Sequence, residues 1–207
     1  MFVRTLPDDA KNALAVLGRS KALDFAYMAG GTALALQLGH RRSVDFDFFC
    51  KEKFDEEEIT EKLKVVGDYE MERQAVNTMQ GHFNGVSFSL FWYKHPLISE
   101  TVDIGGINLA SVEDIAAMKF QATLGRATKK DYIDIYFLIK KCFPVENMFE
   151  YYDRKYGTLE NNKLMLVNGL QYFEDAETSE MPVMFEGVSW SEVKNFLRQE
   201  SERLWRE

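Results

Sequence analysis

Two aspartates one residue apart, Asp45 and Asp47, lie in an otherwise apolar run, Ser43-Val44-Asp45-Phe46-Asp47-Phe48-Phe49. In a strand, residues i and i+2 share a face. Both carboxylates then point together, and Val44, Phe46 and Phe48 point the other way. Like charges that close repel, and taking them out of water is costly. A divalent cation removes both problems. Mg²⁺ (or Mn²⁺) prefers hard oxygen ligands and is commonly held by one or two carboxylates together with substrate phosphates. Upstream stands Gly30-Gly31-Thr32, between a short apolar strand candidate and an apolar helix. Bare backbone amides at the positive end of a helix cradle phosphate groups, and Thr32 can add a hydroxyl. Alone, Gly-Gly is a tight turn and Asp-x-Asp a solvated strand edge. In this order, on strand, turn, helix and strand, they are much more specific, and they suit the metal-assisted phosphoryl and nucleotidyl transfers that use such cations.

The elements that must position these residues can be read from periodicity and turn chemistry. A helix is expected over 8–20, opened by Pro7-Asp8-Asp9, a strand over 25–29, a helix over 32–39, a strand over 43–49 and a charged amphipathic helix over 55–66. Residues 71–76, 80–83 and 86–92 read as a meander, with Asn84-Gly85 as a hairpin turn. One further strand is expected within 101–109. Beyond residue 110 the pattern is helical, over 112–124, 128–141, 145–156, 162–173 and 190–206. Ser111 and Ser189 read as N-caps, Ser189 forming a capping box with Glu192. The change of composition divides the chain into an α/β domain, 1–110, and a helical domain, 111–207. His40-Arg41-Arg42 either complements a helix C-terminus or offers Arg42 to phosphate or RNA.

Composition narrows the partners. The 207 residues carry a formal net charge of -8, so a polynucleotide is not held by overall charge and must meet a local patch or a metal. Cys50 and Cys142 stand far apart with no CxxC, which fits a reducing cytoplasm and gives no zinc signature. The first residues lack the apolar run of a signal peptide, and no window is apolar enough to span a membrane.

The run GGTALALQLGHRRSVDFDFF, residues 30–49, resembles the AbiEii/AbiGii toxin family within the polymerase-β-like nucleotidyltransferases. A second block, ASVEDIAAMKFQATLGRATKKDYIDIYFLIKK over 110–141, is similar to the same family. The resemblance implies an α+β fold: a polymerase-β-like nucleotidyltransferase domain with a mixed sheet, then an all-α helical bundle. It implies an Mg²⁺-dependent enzyme that transfers a nucleotide from an NTP to a macromolecular hydroxyl, RNA or tRNA first, and a toxin with a cognate antitoxin. Carried over residue by residue, Asp45 and Asp47 bind metal, and Gly30, Gly31, Thr32 and Arg42 meet the nucleotide. Lys119 contacts the triphosphate, and Asp131 matches a later acidic motif, with Asp134 one turn on. A bland reading stands beside each: Lys119 snorkelling from an apolar stretch, and Asp131 and Asp134 pairing with Lys130 or Arg126 on helix surfaces. Arg126, Lys129 and Lys130 form either a solvated basic face or an acceptor patch.

The chain departs from the superfamily at one point. A third carboxylate is usual on a neighbouring strand, but residues 85–93 offer Ser87 and Ser89 instead, and Asp103 falls after that strand. Either Asp131 replaces it or the enzyme is weak or inactive. Two rivals follow: an antibiotic-type enzyme acting on a small molecule, and a degenerate nucleotide-binding module acting through a protein partner.

Overall fold

The computed structural model describes residues 1–125 and 127–206. The chain divides into two compact units, Met1–Ser111 and Val112–Glu207.

In the first unit, α1 (Asp8–Ser20) starts after Pro7, which serves as N-cap rather than as part of the first turn, and ends at left-handed Lys21. Then follow β1 (Tyr27–Ala29), α2 (Gly30–Leu38), β2 (Phe46–Cys50) and α3 (Glu56–Val66), the last capped by the Asp55 carboxylate, which accepts from the amides of Glu57 and Glu58. The rest is strand: β3 (Tyr69–Ala75), β4 (Thr78–Phe83), β5 (Val86–Trp92), β6 (Val102–Ile104) and β7 (Ile107–Leu109). Among the described residues these seven strands form one sheet in the order β3-β4-β5-β2-β1-β7-β6. The sheet is mixed: β2 runs antiparallel to β1 and parallel to β5, and β1 runs parallel to β7.

Two expectations change here. The single strand foreseen over 101–109 is a hairpin, because Gly105 and Gly106 take left-handed φ of 58° and 89° and turn the chain. The strand foreseen from residue 43 begins only at Phe46, so Asp45 precedes it, and Val44, expected to share a face with Phe46 and Phe48, is exposed where they are buried. The Asn84-Gly85 hairpin has positive φ at both residues, as its turn type requires.

The second unit consists of α4 (Val112–Ala122), α5 (Lys129–Lys141), α6 (Val145–Tyr156), α7 (Leu159–Gly169), a short α8 (Glu174–Glu177) and α9 (Trp190–Leu204). Its core is aromatic: Phe120 meets Phe149 and Tyr152 edge to face, and Tyr132 meets Phe173 likewise. The helix expected over 162–173 starts earlier, at Leu159. Ser189 caps α9 through the amide of Glu192, but the Glu192 carboxylate turns away to accept a hydrogen bond from the Tyr136 hydroxyl. Among the described residues no helix is long and apolar enough to cross a membrane.

Candidate active site

The site grows from the β1–α2 junction. Helix α2 begins directly after β1, and its N-cap, Ala29, has no side chain able to satisfy the first-turn amides; no acid stands in that turn. Those amides carry the positive end of the helix dipole. Gly30 makes the abrupt change of direction with φ +72°, a conformation that side chains disfavour.

Strand β2 lies alongside. Exposure alternates along it: Phe46, Phe48 and Cys50 are buried, whereas Asp45, Asp47 and Phe49 are half-buried. Asp47 stands in register with Ala29 on one side and Ser89 of β5 on the other. A methyl group on Gly30 would come 3.0 Å from Asp47 Oδ2. Gly30 is therefore needed twice, for its dihedral and for room for the carboxylate. Gly31 is needed for a different reason: a methyl there would meet Arg41 Nη2 at 2.4 Å. The Arg41 side chain is 1% exposed, and its Nη1 donates to the Arg42 carbonyl at 3.1 Å. The Thr32 hydroxyl donates to Ser43 Oγ at 2.9 Å, tying α2 to the segment that leads into β2.

Of the residues expected here, Gly30, Gly31, Thr32, Asp45 and Asp47 come from one continuous strand–turn–helix–strand segment. Arg42 is exposed beside them, while its neighbour Arg41 is the buried one. Arg41 and Ser43 were not singled out from the sequence. The doubled arginine carried the signal, without saying which of the two turns inward.

The donors suit a hard divalent cation. The Asp47 carboxylate lies against a turn that has no side chain in the way, Asp45 is two residues before it, and phosphate oxygens would complete such a shell. Among the described residues no group of three or more His, Cys, Asp or Glu is arranged to hold a metal. The position beside Asp47 on β5 is Ser89, and beyond it on β4 stands Gln80. Asp103 lies on β6, three strands from β2, about 14 Å away at ordinary strand spacing, and its carboxylate accepts from the Gly106 amide in the hairpin turn.

In the helical unit Lys119 is 8% exposed and its Nζ lies 2.8 Å from both Asp131 Oδ1 and the fully buried Asp134 Oδ2. Asp131 Oδ2 also accepts from the amide and the hydroxyl of Thr128 at the start of α5, at 2.8 and 2.9 Å. Burial alone would raise the Asp131 carboxyl; the charge and hydrogen bond of Lys119 and the Thr128 amide outweigh it and hold the group below its ordinary value. A second pair, Lys155 with Asp114 at 2.7 Å, is buried in the same unit. Lys129 donates to the carbonyls of Glu177 and Ser179, and Lys130 is exposed. Arg126 lies outside the described residues.

A mixed sheet in which a helix starts directly after β1, with Asp47 on the adjacent strand against Gly30, has counterparts among solved nucleotidyltransferase structures. MenT4, a nucleotidyltransferase toxin from Mycobacterium tuberculosis H37Rv, matches with a TM-score of 0.61 at 16% identity, over 97% of this chain and 86% of its own. JHP933 from Helicobacter pylori matches with a TM-score of 0.59 at 18% identity, over 97% and 94%. At such identities the likeness is one of fold. The sequence reaches further. The profile of the family described as "Nucleotidyl transferase AbiEii toxin, Type IV TA system" matches residues 12–93 and 94–207, and the chain belongs to that family. The uncharacterized Aquifex aeolicus (strain VF5) protein aq_aa25 is 33% identical over 180 residues, 84% of each chain.

Proposed function

We propose that the chain is a divalent-metal-dependent nucleotidyltransferase that moves a nucleotide from an NTP to an RNA hydroxyl, tRNA first, acts in the cytoplasm as a toxin, and is restrained by a cognate antitoxin. The observation that carries the chemistry is Gly30 packed on Asp47: it sets an uncapped helix N-terminus against a carboxylate. The family's toxin–antitoxin description supports the physiological part.

In this reading the amides of the α2 first turn hold the phosphates, with Gly31 and Thr32 shaping the turn. Asp45 and Asp47 hold Mg²⁺ or Mn²⁺, which when bound neutralises phosphate charge and activates the attacking oxygen. The acceptor hydroxyl oxygen forms a bond to the α-phosphorus, the bond from that phosphorus to the bridging oxygen breaks, and pyrophosphate leaves. The hydroxyl proton passes to water, since Ser89 stands where a strand carboxylate would receive it. Lys119 and Asp131 remain candidates from the family resemblance.

Label transfer tests the reading. The purified chain is incubated with Mg²⁺, each α-labelled NTP and total tRNA, beside Asp45→Ala and Asp47→Ala. Label on RNA is expected with wild type and is expected to fall roughly a hundredfold or more in both variants. NTP binding without label on any acceptor would overturn RNA transfer; label on a cationic small molecule instead would move the assignment to an antibiotic-type enzyme. Ser89 specifically favours a second reading, a nucleotide-binding module without turnover, which predicts that Asp47→Ala leaves the cellular phenotype intact.

A further inference from the structure

The sheet face that carries Asp47 continues into aromatic rings. Phe49 follows two residues on and shares that face. In register beside it stand Phe91 on β5 and Tyr27 on β1. The Tyr27 and Phe49 rings stack with centroids 6.0 Å apart, Phe91 lies tilted against Phe49 at 5.6 Å, and Tyr93 meets Phe49 edge to face at 5.3 Å. The Tyr93 amide donates to the Cys50 carbonyl at 2.8 Å, which fixes this residue just past the end of β5. Phe46, Phe48, Phe88 and Leu90 of the same strands turn to the opposite face and are buried almost completely. Phe49, Phe91 and Tyr93 each keep part of their surface exposed. The sheet thus has an apolar core on one face and, on the other, half-open rings beside a carboxylate.

The position of the rings relative to the phosphate turn identifies what they hold. Ala29 pairs with Asp47 and Gly30 turns away directly after it, whereas Tyr27 pairs with Phe49. The turn and the rings therefore lie on opposite sides of Asp47 along β2, with Phe49 about 7 Å from it. In nucleotidyl transfer the attacking and leaving oxygens are roughly in line through phosphorus. Pyrophosphate held at the α2 turn leaves on one side, so the acceptor hydroxyl arrives from the other, across the rings. The nucleoside of the NTP hangs from the same phosphorus off that line.

We infer that Phe49, Phe91 and Tyr93 form a stacking platform for the terminal nucleobase at the 3′ end of the RNA acceptor. This rests on the nucleotidyltransferase reading above and names how its acceptor is held. A 3′-terminal base and its hydroxyl are one ribose apart, so a base seated on the rings brings its own hydroxyl toward Asp47. Every base offers a π-face, so the platform grips an RNA end without reading its sequence. Stacking also needs few phosphate contacts, which suits a chain with a net charge of -8.

The probe is a synthetic RNA hairpin with a single-stranded 3′ tail whose last base is the fluorescent 2-aminopurine; a twin RNA ends in a ribose without a base. Affinity is read by anisotropy of a label on the hairpin loop, stacking by 2-aminopurine emission, both with the full chain and Mg²⁺. Wild type is expected to quench the terminal 2-aminopurine and to bind the baseless twin about tenfold more weakly. In Phe91→Leu and Tyr93→Leu the affinity for the base-bearing RNA is expected to fall about tenfold, to that of the twin, and the quench to disappear, with NTP affinity by calorimetry unchanged. Tyr93→Trp is expected to keep both the affinity and the quench. The comparison of the two RNAs uses wild type alone, so it decides even if the leucine variants do not fold. Equal wild-type affinity for the two RNAs, or leucine variants that melt lower yet bind both RNAs as wild type does, would show a merely structural cluster and overturn the inference. A loss of NTP affinity with RNA affinity kept would assign the rings to the NTP base and overturn it as well. Label transfer to RNA that is indifferent to the terminal base would sink the platform and leave the proposed function standing; wild type binding neither NTP nor RNA would overturn both.

Discussion

At the residue scale, the serine beside Asp47 invites the most direct experiment. Ser89 is 8% exposed and in register with Asp47 on β5. Ser89→Asp adds a third carboxylate there. The variant is expected to lose about 1–3 kcal/mol of stability through desolvation and like-charge repulsion. Mg²⁺ should raise its melting temperature more than that of wild type, and turnover should increase if the lost proton acceptor limits the rate. Unchanged metal dependence of melting would show that position 89 lies outside any cation shell at Asp45 and Asp47. The cysteines give an independent check on burial. Burial, with Glu52 nearby, pushes the Cys50 thiol up to about 11, and Cys142, although also raised, is exposed. Iodoacetamide at pH 8 is therefore expected to label Cys142 in the native protein and Cys50 only after unfolding, read by mass spectrometry.

At the element scale, α4 and α5 are joined by one lysine serving two acids. Removing Lys119 leaves Asp134 buried without its cation, so Lys119→Met is expected to destabilise by about 3–5 kcal/mol, and adding Asp134→Leu should recover most of that. Denaturant titration of the single and double variants checks it, and an activity loss in Lys119→Met means nothing until it has been done. Asp131→Ala removes the acceptor at the start of α5 and is expected to cost about 1–2 kcal/mol near neutral pH. Its pH dependence has a definite sign. The folded carboxyl titrates below its unfolded value near 3.8, so its contribution is complete above about pH 4 and vanishes as pH falls through the lower folded value. Wild type and Asp131→Ala melts should converge below that range.

The elements also show what a sequence displays and what it withholds. The β1–α2–β2 segment was legible because its signals are local: glycines at a strand–helix junction and alternation along β2. The neighbours of β2 were not, since the β2–β5 register joins residues about 40 apart and no periodicity reports it. That register is what identifies Ser89, rather than Ser87, as the residue beside Asp47. Helix α8 has four residues, less than the span over which a helical repeat is visible. The inward turn of Arg41 depends on its packing beside Gly31, which exists only once the fold has formed.

At the scale of the whole molecule, the net charge of -8 sets an expectation for the acceptor. Acids outnumber bases, 33 to 25, and Lys129 is already tied to backbone carbonyls, so overall charge does not favour a long polynucleotide track. Binding of RNA is expected to involve fewer than about four phosphates, giving a slope shallower than about -3 in a plot of log affinity against log salt. A steeper slope by filter binding or anisotropy would reveal a basic surface that net charge conceals.

The order of the strands has a consequence for how the protein is made. β1 pairs with β2 soon after both leave the ribosome, but its other partner, β7, is encoded about 80 residues later. At roughly 5–20 residues per second, that leaves β1 with an open edge for about 4–16 s of synthesis. Met28 and Ala29, buried completely in the finished sheet, are uncovered along that edge meanwhile. A ribosome that stalls before residue 107 releases a chain with its signature motif intact and a bare, apolar strand edge. Such a fragment is a seed for aggregation and a client for chaperones, so the supply of folded protein is sensitive to the pace of translation across the stretch between β5 and β7.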